Sequence, residues 1–204
     1  MEILIPIFIF SASATITPGP NNIMLMTSGM NFGISKSLPH YLGICLGFPM
    51  MVILIGLGFG FIFDSFPFIH LFIRIIGIAY LLFLSWKIAN SSPNSLESYE
   101  AKPFSFLQAI AFQWINPKAW VMATGSVAAF TTSSSVIFMQ ILLIAFTFMI
   151  AAFPCTGIWL FFGATLKKIF TNPSYQKSFN IIMASLLFLS ITPSAYDLIL
   201  DYLV

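Results

Sequence analysis

Charge is what this sequence has least of: Lys, Arg, Asp and Glu together make up 7% of its 204 residues. Soluble domains carry about 25%, so a water-facing surface is excluded for most of the chain. The formal net charge of +2 is too small for a nucleic-acid footprint. The two cysteines, Cys45 and Cys155, sit inside apolar stretches without metal-ligand spacing and read as small core residues. The two histidines, His40 and His70, form no H-E-x-x-H and stand at ligand spacing from no other ligand, which leaves a metal-dependent enzyme without support. No G-x-x-x-x-G-K-[ST] is present, so nothing points to ATP hydrolysis. The expectation is a protein with no cofactor, no metal and no enzymatic activity.

What is abundant is apolar length. Hydrophobic residues make up 59% of the chain and the mean hydropathy is +0.98. At about 20 residues per membrane span, the apolar stretches divide as Ile3–Thr27, Leu38–Phe63, Phe66–Ile88, Phe104–Phe130, Val136–Gly163 and Phe179–Leu200. These runs are continuous, whereas a β-barrel would alternate apolar and polar residues. The fold class is therefore an all-α integral membrane protein of six transmembrane helices in a lipid bilayer. Ala12-Ser13-Ala14 has the look of a signal-peptidase site. The segment before it carries Glu2 and no basic residue, and the apolar pattern continues past it, so cleavage is not expected. Lys36, Lys87, Lys102, Lys167, Lys168 and Lys177 fall in alternate loops, which the positive-inside rule places in the cytoplasm, with both termini outside.

Two dipeptides, Thr17-Pro18 and Asn116-Pro117, interrupt spans one and four. A proline removes one intrahelical bond, which leaves the carbonyls of Ala14 and Gln113 without their usual partners. Thr17 and Asn116 are good N-caps and proline is favoured just after a cap, so each break can restart a helix. A helix N-terminus at mid-bilayer presents N–H groups and a positive dipole end to a carboxylate. Pro49 and Pro154 correspond more loosely in spans two and five. The polar stretch Asn90–Lys102 separates the two sets of three spans, giving repeat one at about 1–90, a linker at about 91–103 and repeat two at about 104–204. Because three is odd, duplicated units must lie inverted in the membrane, an arrangement that transporters share. The organisation expected is one domain over 1–204, two inverted three-helix repeats, with helices 1 and 4 broken at proline.

Thr17-Pro18-Gly19-Pro20-Asn21-Asn22, then Asn31-Phe32-Gly33 and Leu42-Gly43-Ile44-Cys45-Leu46-Gly47, then Phe112-Gln113-Trp114-Ile115-Asn116-Pro117-Lys118-Ala119-Trp120 give the chain a family likeness. In length, span number and motif order it resembles the lysine exporter (LysE/RhtB) family of bacterial amino-acid efflux proteins. The resemblance implies export of amino acids or close derivatives across the bacterial inner membrane, driven by the proton gradient. The loop after span one departs from the family in holding the single basic residue Lys36.

The substrate-binding candidates are Thr17, Pro18, Gly19, Pro20, Asn21, Asn22, Asn116, Pro117, Lys118 and Arg74. Lys118 lies about 14 residues into its span, some 20 Å along a helix, and an ammonium at that depth is a functional candidate by default. It pairs either with the substrate carboxylate or with a counter-charge, or else it caps carbonyls freed by a break in another helix. Asn21 and Asn22 either hold the substrate or satisfy loosened backbone, and Asn116 is a cap. Arg74, about eight residues into span three, is read as a second carboxylate anchor, as a partner for an acidic group, or as a partially snorkelling side chain. Coupling to protons needs a titrating group, and no Asp or Glu lies deep in a span. His40, His70 and Lys118 remain, with the histidines read as interfacial. Gly43 and Gly47, and Gly56 and Gly60, suit close helix packing within the bundle or in a homodimer. Trp114 and Trp120 flank the second break and either join an interfacial belt or line the pathway.

Overall fold

The computed structural model describes residues 3–59, 67–90, 102–132, 136–169 and 172–203. Residues 91–101 of the expected linker, and Asp64 and Gly60, lie outside the described residues. Every regular element described is helical: α1 (Leu4–Ile16), α2 (Pro20–Phe32), α3 (Ile34–Leu54, continued by a π turn at Ile55–Phe59), α4 (Pro67–Ala89), α5 (Phe106–Phe112), a 3₁₀ turn (Gln113–Ile115), α6 (Pro117–Phe130), α7 (Ile137–Ile169) and α8 (Pro173–Leu203). Four stretches are long and apolar enough to cross a membrane: Ile34–Gly58, Leu71–Ala89, Ile137–Lys167 and Ser174–Leu200. The expected spans one and four are each made of shorter helices on either side of a break.

Boundaries differ from the hydropathy reading where polar residues are buried in the bundle. The first span was expected to end at Thr27, but α2 continues to Phe32 because Thr27, Ser28 and Asn31 are enclosed by protein. Gly33, at φ 81°, then turns the chain directly into α3. That left-handed conformation favours glycine. Pro49 and Pro154, expected as a second pair of breaks, lie inside α3 and α7 without ending them.

Half of the membrane-length window is buried in α3 and in α7, against 22% in α4 and α8, so the first two are central and the last two face lipid. The core divides into two main clusters. One joins Ile7 of α1, Phe48, Met51 and Val52 of α3, Ala119 and Ala123 of α6, and Ile144 and Phe148 of α7. The other joins Ile23, Met26 and Met30 of α2, Leu81 and Leu84 of α4, Phe112 of α5, and Phe179, Met183 and Leu187 of α8. Both breaks fall between them. At Thr17–Gly19 the chain leaves the first cluster for the second, and at Gln113–Asn116 it passes from the second to the first.

Lipid tails are as apolar as leucine, so close packing replaces hydrophobic transfer as the main attraction between helices. Glycines make that packing possible. A Cβ on Gly163 of α7 would run into the Met26 carbonyl of α2, and one on Gly29 would stand 2.5 Å from the Leu160 carbonyl. Gly43 and Gly47 pack against Phe106, Ala109 and Ile110 of α5, so within the bundle. At the end of α2, Lys167 Nζ of α7 donates to the Asn31 carbonyl at 3.0 Å and Gln176 Nε2 donates to Asn31 Oδ1 at 3.2 Å. A cation there also suits the negative end of the helix dipole.

Candidate functional site

The first break lies between α1 and α2. Thr17 precedes one proline and Gly19 precedes another, and a residue before proline avoids the helical region. Thr17 accordingly sits at ψ 148° and Gly19 is fully extended, with φ 176° and ψ 175°. The expected restart at Pro18 with Thr17 as N-cap is therefore corrected. Thr17 ends α1, Gly19 is the N-cap of α2, and Pro20 is its first residue.

Five successive carbonyls at this break accept from side chains. Ala14 O receives Thr17 Oγ1 at 2.9 Å, Thr15 O receives Asn22 Nδ2 at 2.7 Å, and Ile16 O receives Trp159 Nε1 at 3.0 Å. Thr17 O accepts from Asn22 Nδ2 at 2.9 Å and from Lys118 Nζ at 3.0 Å, while Pro18 O accepts from the same ammonium at 3.1 Å. The Ala14 carbonyl expected to lack a partner has one. Thr17 is short enough to fold its hydroxyl back on the turn it ends. Trp159, far along α7, thus joins this cap.

The second break is shallower. A 3₁₀ turn tightens the end of α5, and Asn116 N donates to the Gln113 carbonyl at 3.3 Å, so this expected orphan is also satisfied. Asn116 is the expected N-cap: its Oδ1 accepts from Lys118 N at 3.1 Å, with Pro117 next in the helix. Trp120 Nε1 donates to the Trp114 carbonyl at 2.8 Å, and the two rings meet edge-on with centroids 5.7 Å apart.

Two sets of contacts tie the breaks together. Lys118 Nζ reaches Thr17 Oγ1 at 2.7 Å in addition to the two carbonyls, so in this conformation it acts as the cap on another helix's carbonyls. Asn21 Nδ2 donates to Gln113 Oε1 at 2.8 Å, and Gln113 Nε2 donates to Asn21 Oδ1 at 3.2 Å and to the Ala109 carbonyl at 2.8 Å. Gly19 stands where it does because a Cβ would come 2.7 Å from Lys118 Cδ.

Between the breaks is a cavity of about 40 Å³ lined by Ala14, Thr15, Gly19, Asn21, Asn22, Ile44, Phe48, Asn116, Lys118, Ala119, Met122, Ala152 and Thr156. Among the described residues that line it, Lys118 carries the charge and none is a carboxylate. Asn21, Asn22, Gly19, Asn116 and Lys118 are thus brought together, with Thr17 and Pro18 behind the ammonium. Gly19 gives α2 no side-chain cap, which leaves the first-turn N–H groups to face the break without one.

Arg74 is not brought to this cavity. It lines a separate cleft of about 170 Å³ with Trp114, Pro117, Trp120, Ser194 and Asp197, and its Nη2 lies 3.5 Å from the Ser194 carbonyl. The start of α6 divides the two spaces, with Pro117, Trp120 and Val121 on one side and Lys118, Ala119 and Met122 on the other. These are the i, i+3, i+4 faces of one helix.

His40, expected near an interface, is 2% exposed, packs against Phe104 with ring centroids 5.2 Å apart, and lies outside the cavity. The side chain of His70 lies outside the described residues. Sequence reasoning missed Gln113, Thr15, Thr156 and Trp159. Gln113 had a legible signal as a polar side chain beside a break inside an apolar run; the others are joined to the site only by packing.

Long apolar helices around a polar, doubly broken centre define a multi-pass membrane protein. Residues 12–191 match the LysE type translocator family, and the chain belongs to it. It is similar to the cysteine/O-acetylserine efflux proteins of Escherichia coli (strain K12), Shigella sonnei (strain Ss046) and Shigella flexneri. Each is 29% identical over 184 residues, covering 87% of this chain and 90% of the relative. No solved structure matches.

Proposed function

We propose that this chain is a secondary transporter that exports small neutral amino acids or close derivatives, in the class of cysteine and O-acetylserine, from the bacterial cytoplasm. It acts in the inner membrane as six segments in two inverted repeats, both termini outside, with efflux driven by proton antiport. The observation that carries this reading is the Lys118 ammonium held between two helix breaks, on carbonyls and a hydroxyl and beside a polar cavity. The opposite directions in which the two breaks cross between core clusters support inversion. The names of the relatives support the substrate class.

In this mechanism a substrate carboxylate competes for Lys118 with the carbonyls of Thr17 and Pro18, and the first-turn N–H groups of α2 add donors to it. A cavity of about 40 Å³ holds about three waters and is too small for a whole amino acid. Loading therefore requires α1–α2 and α5–α6 to part, which loosens the contacts between the breaks and opens the site to one side. A substrate with a basic side chain would bring a second cation near Lys118. At ~8 Å and an effective dielectric constant of ~20 the repulsion is about 2 kcal/mol, so lysine and arginine are disfavoured by roughly 30-fold.

The test is mass spectrometry of the medium from cells fed mixed dipeptides, comparing no protein, wild type and Lys118→Ala at matched membrane levels. Small neutral amino acids accumulating outside only with wild type is the expected result. Identical media in all three would overturn amino-acid export.

A further inference from the structure

Thr156 of α7 behaves unlike the other threonines in the helices. Thr15, Thr27, Thr124, Thr147, Thr165 and Thr192 each donate their hydroxyl to the carbonyl four residues earlier, at 2.6 to 3.4 Å. This is the usual way for a helical threonine to satisfy itself away from water. Thr156 is completely buried, and its Oγ1 has no hydrogen-bond partner among the described residues. A buried hydroxyl without a partner costs stability that replacement by a methyl group would recover. It lines the cavity between the breaks, opposite in chemistry to Lys118.

A zwitterionic amino acid needs donors for its carboxylate and acceptors for its ammonium, which can only donate. Lys118 and the start of α2 supply donors. Acceptors are scarcer: among the described residues no carboxylate lines the cavity, Asn21 Oδ1 already accepts from Gln113 and Asn116 Oδ1 from Lys118 N, while Asn22 and Thr15 are tied to backbone carbonyls through their donors and keep acceptor capacity. Of the polar side chains that line the cavity, Thr156 alone makes no hydrogen bond among the described residues.

We propose that the Thr156 hydroxyl accepts a hydrogen bond from the α-ammonium group of the transported amino acid, an assignment that rests on reading this cavity as the substrate site. The carboxylate is held at the Lys118 end and the amino group at the α7 wall, which fixes the substrate's orientation. The threonine keeps its hydroxyl off its own helix, and because it is fully buried in this conformation, the substrate reaches it once the cavity widens on loading.

The experiment uses purified full-length protein in proteoliposomes and measures counterflow of labelled cysteine under reducing conditions. Unlabelled cysteine and 3-mercaptopropionic acid, which lacks the amino group, serve as competitors. For Thr156→Val the half-inhibitory concentration of cysteine should rise about tenfold, the loss of one hydrogen bond to a charged group, while that of the deamino acid stays put. The melting temperature should hold or rise. Thr156→Ala should repeat the cysteine effect and Thr156→Ser should restore it. Equal weakening of both competitors, unchanged cysteine competition in Thr156→Val, or a serine variant as weak as valine overturns the assignment. Absence of counterflow in wild type overturns the underlying reading of the cavity, and this inference with it.

Discussion

Lys118 Nζ lies 2.7 Å from Thr17 Oγ1, joining the residue just after one intramembrane proline to the residue just before another, 101 positions earlier in the chain. The same ammonium accounts for the Thr17 and Pro18 carbonyls. In hydrocarbon, unpaired backbone groups cost several kcal/mol, so this side chain, with Thr17, Asn22 and Trp159, makes the first break tolerable. Under the proposed function it would also make the break switchable, with an anion in the cavity drawing the ammonium away. Structural cap and substrate anchor are on this view two states of one residue.

Replacing Lys118 with Met keeps the length and removes the donor. The Pro18 carbonyl loses its side-chain partner, and Thr17 O keeps only Asn22. A loss of about 1–3 kcal/mol in stability is expected, read as a lower melting temperature in detergent. Export should fall by roughly 10- to 100-fold per molecule, the equivalent of one charge-assisted hydrogen bond. A drop in melting temperature with unchanged export per molecule would make Lys118 a cap alone.

Asn21 and Gln113 exchange hydrogen bonds across 92 positions and link α2 to the turn after α5. Asn21→Leu and Gln113→Leu should each destabilise, since each strands a polar partner, and the double variant should lose less than the sum. A coupling of about 0.5–3 kcal/mol is expected from a double-mutant cycle on thermal unfolding. Strict additivity would mean that the two amides do not hold the breaks together.

Two glycines separate function from packing. A Cβ at Gly19 meets the flexible end of Lys118, at 2.7 Å from Cδ and 3.1 Å from Nζ, whereas one at Gly163 meets the Met26 backbone of α2. Gly19→Ala should therefore reduce transport by displacing the ammonium, with a loss of stability no larger than that of Lys118→Met. Gly163→Ala should cost about 1–3 kcal/mol through overpacking, with transport per folded molecule retained. The opposite pattern in both variants would show that Lys118 tolerates displacement and that α2 and α7 can separate freely.

The sequence determined by itself that this is a helical membrane protein, because 7% charge and long apolar runs leave no other solvent for it. It also marked both breaks, since Pro18, Pro20 and Pro117 act through their own rings and missing N–H groups, which are local facts. Asn116 was legible as a cap for the same reason. Where α2 would end was not, because Thr27, Ser28 and Asn31 read as polar along the chain and are buried only once α7 packs over them. Tertiary structure alone decided that Lys118 reaches Thr17, that Arg74 faces another cleft, and that the Thr156 hydroxyl stands beside the breaks. Each of these joins residues far apart in sequence, and a side chain's partner across such a distance is set by how helices pack, which no local pattern records.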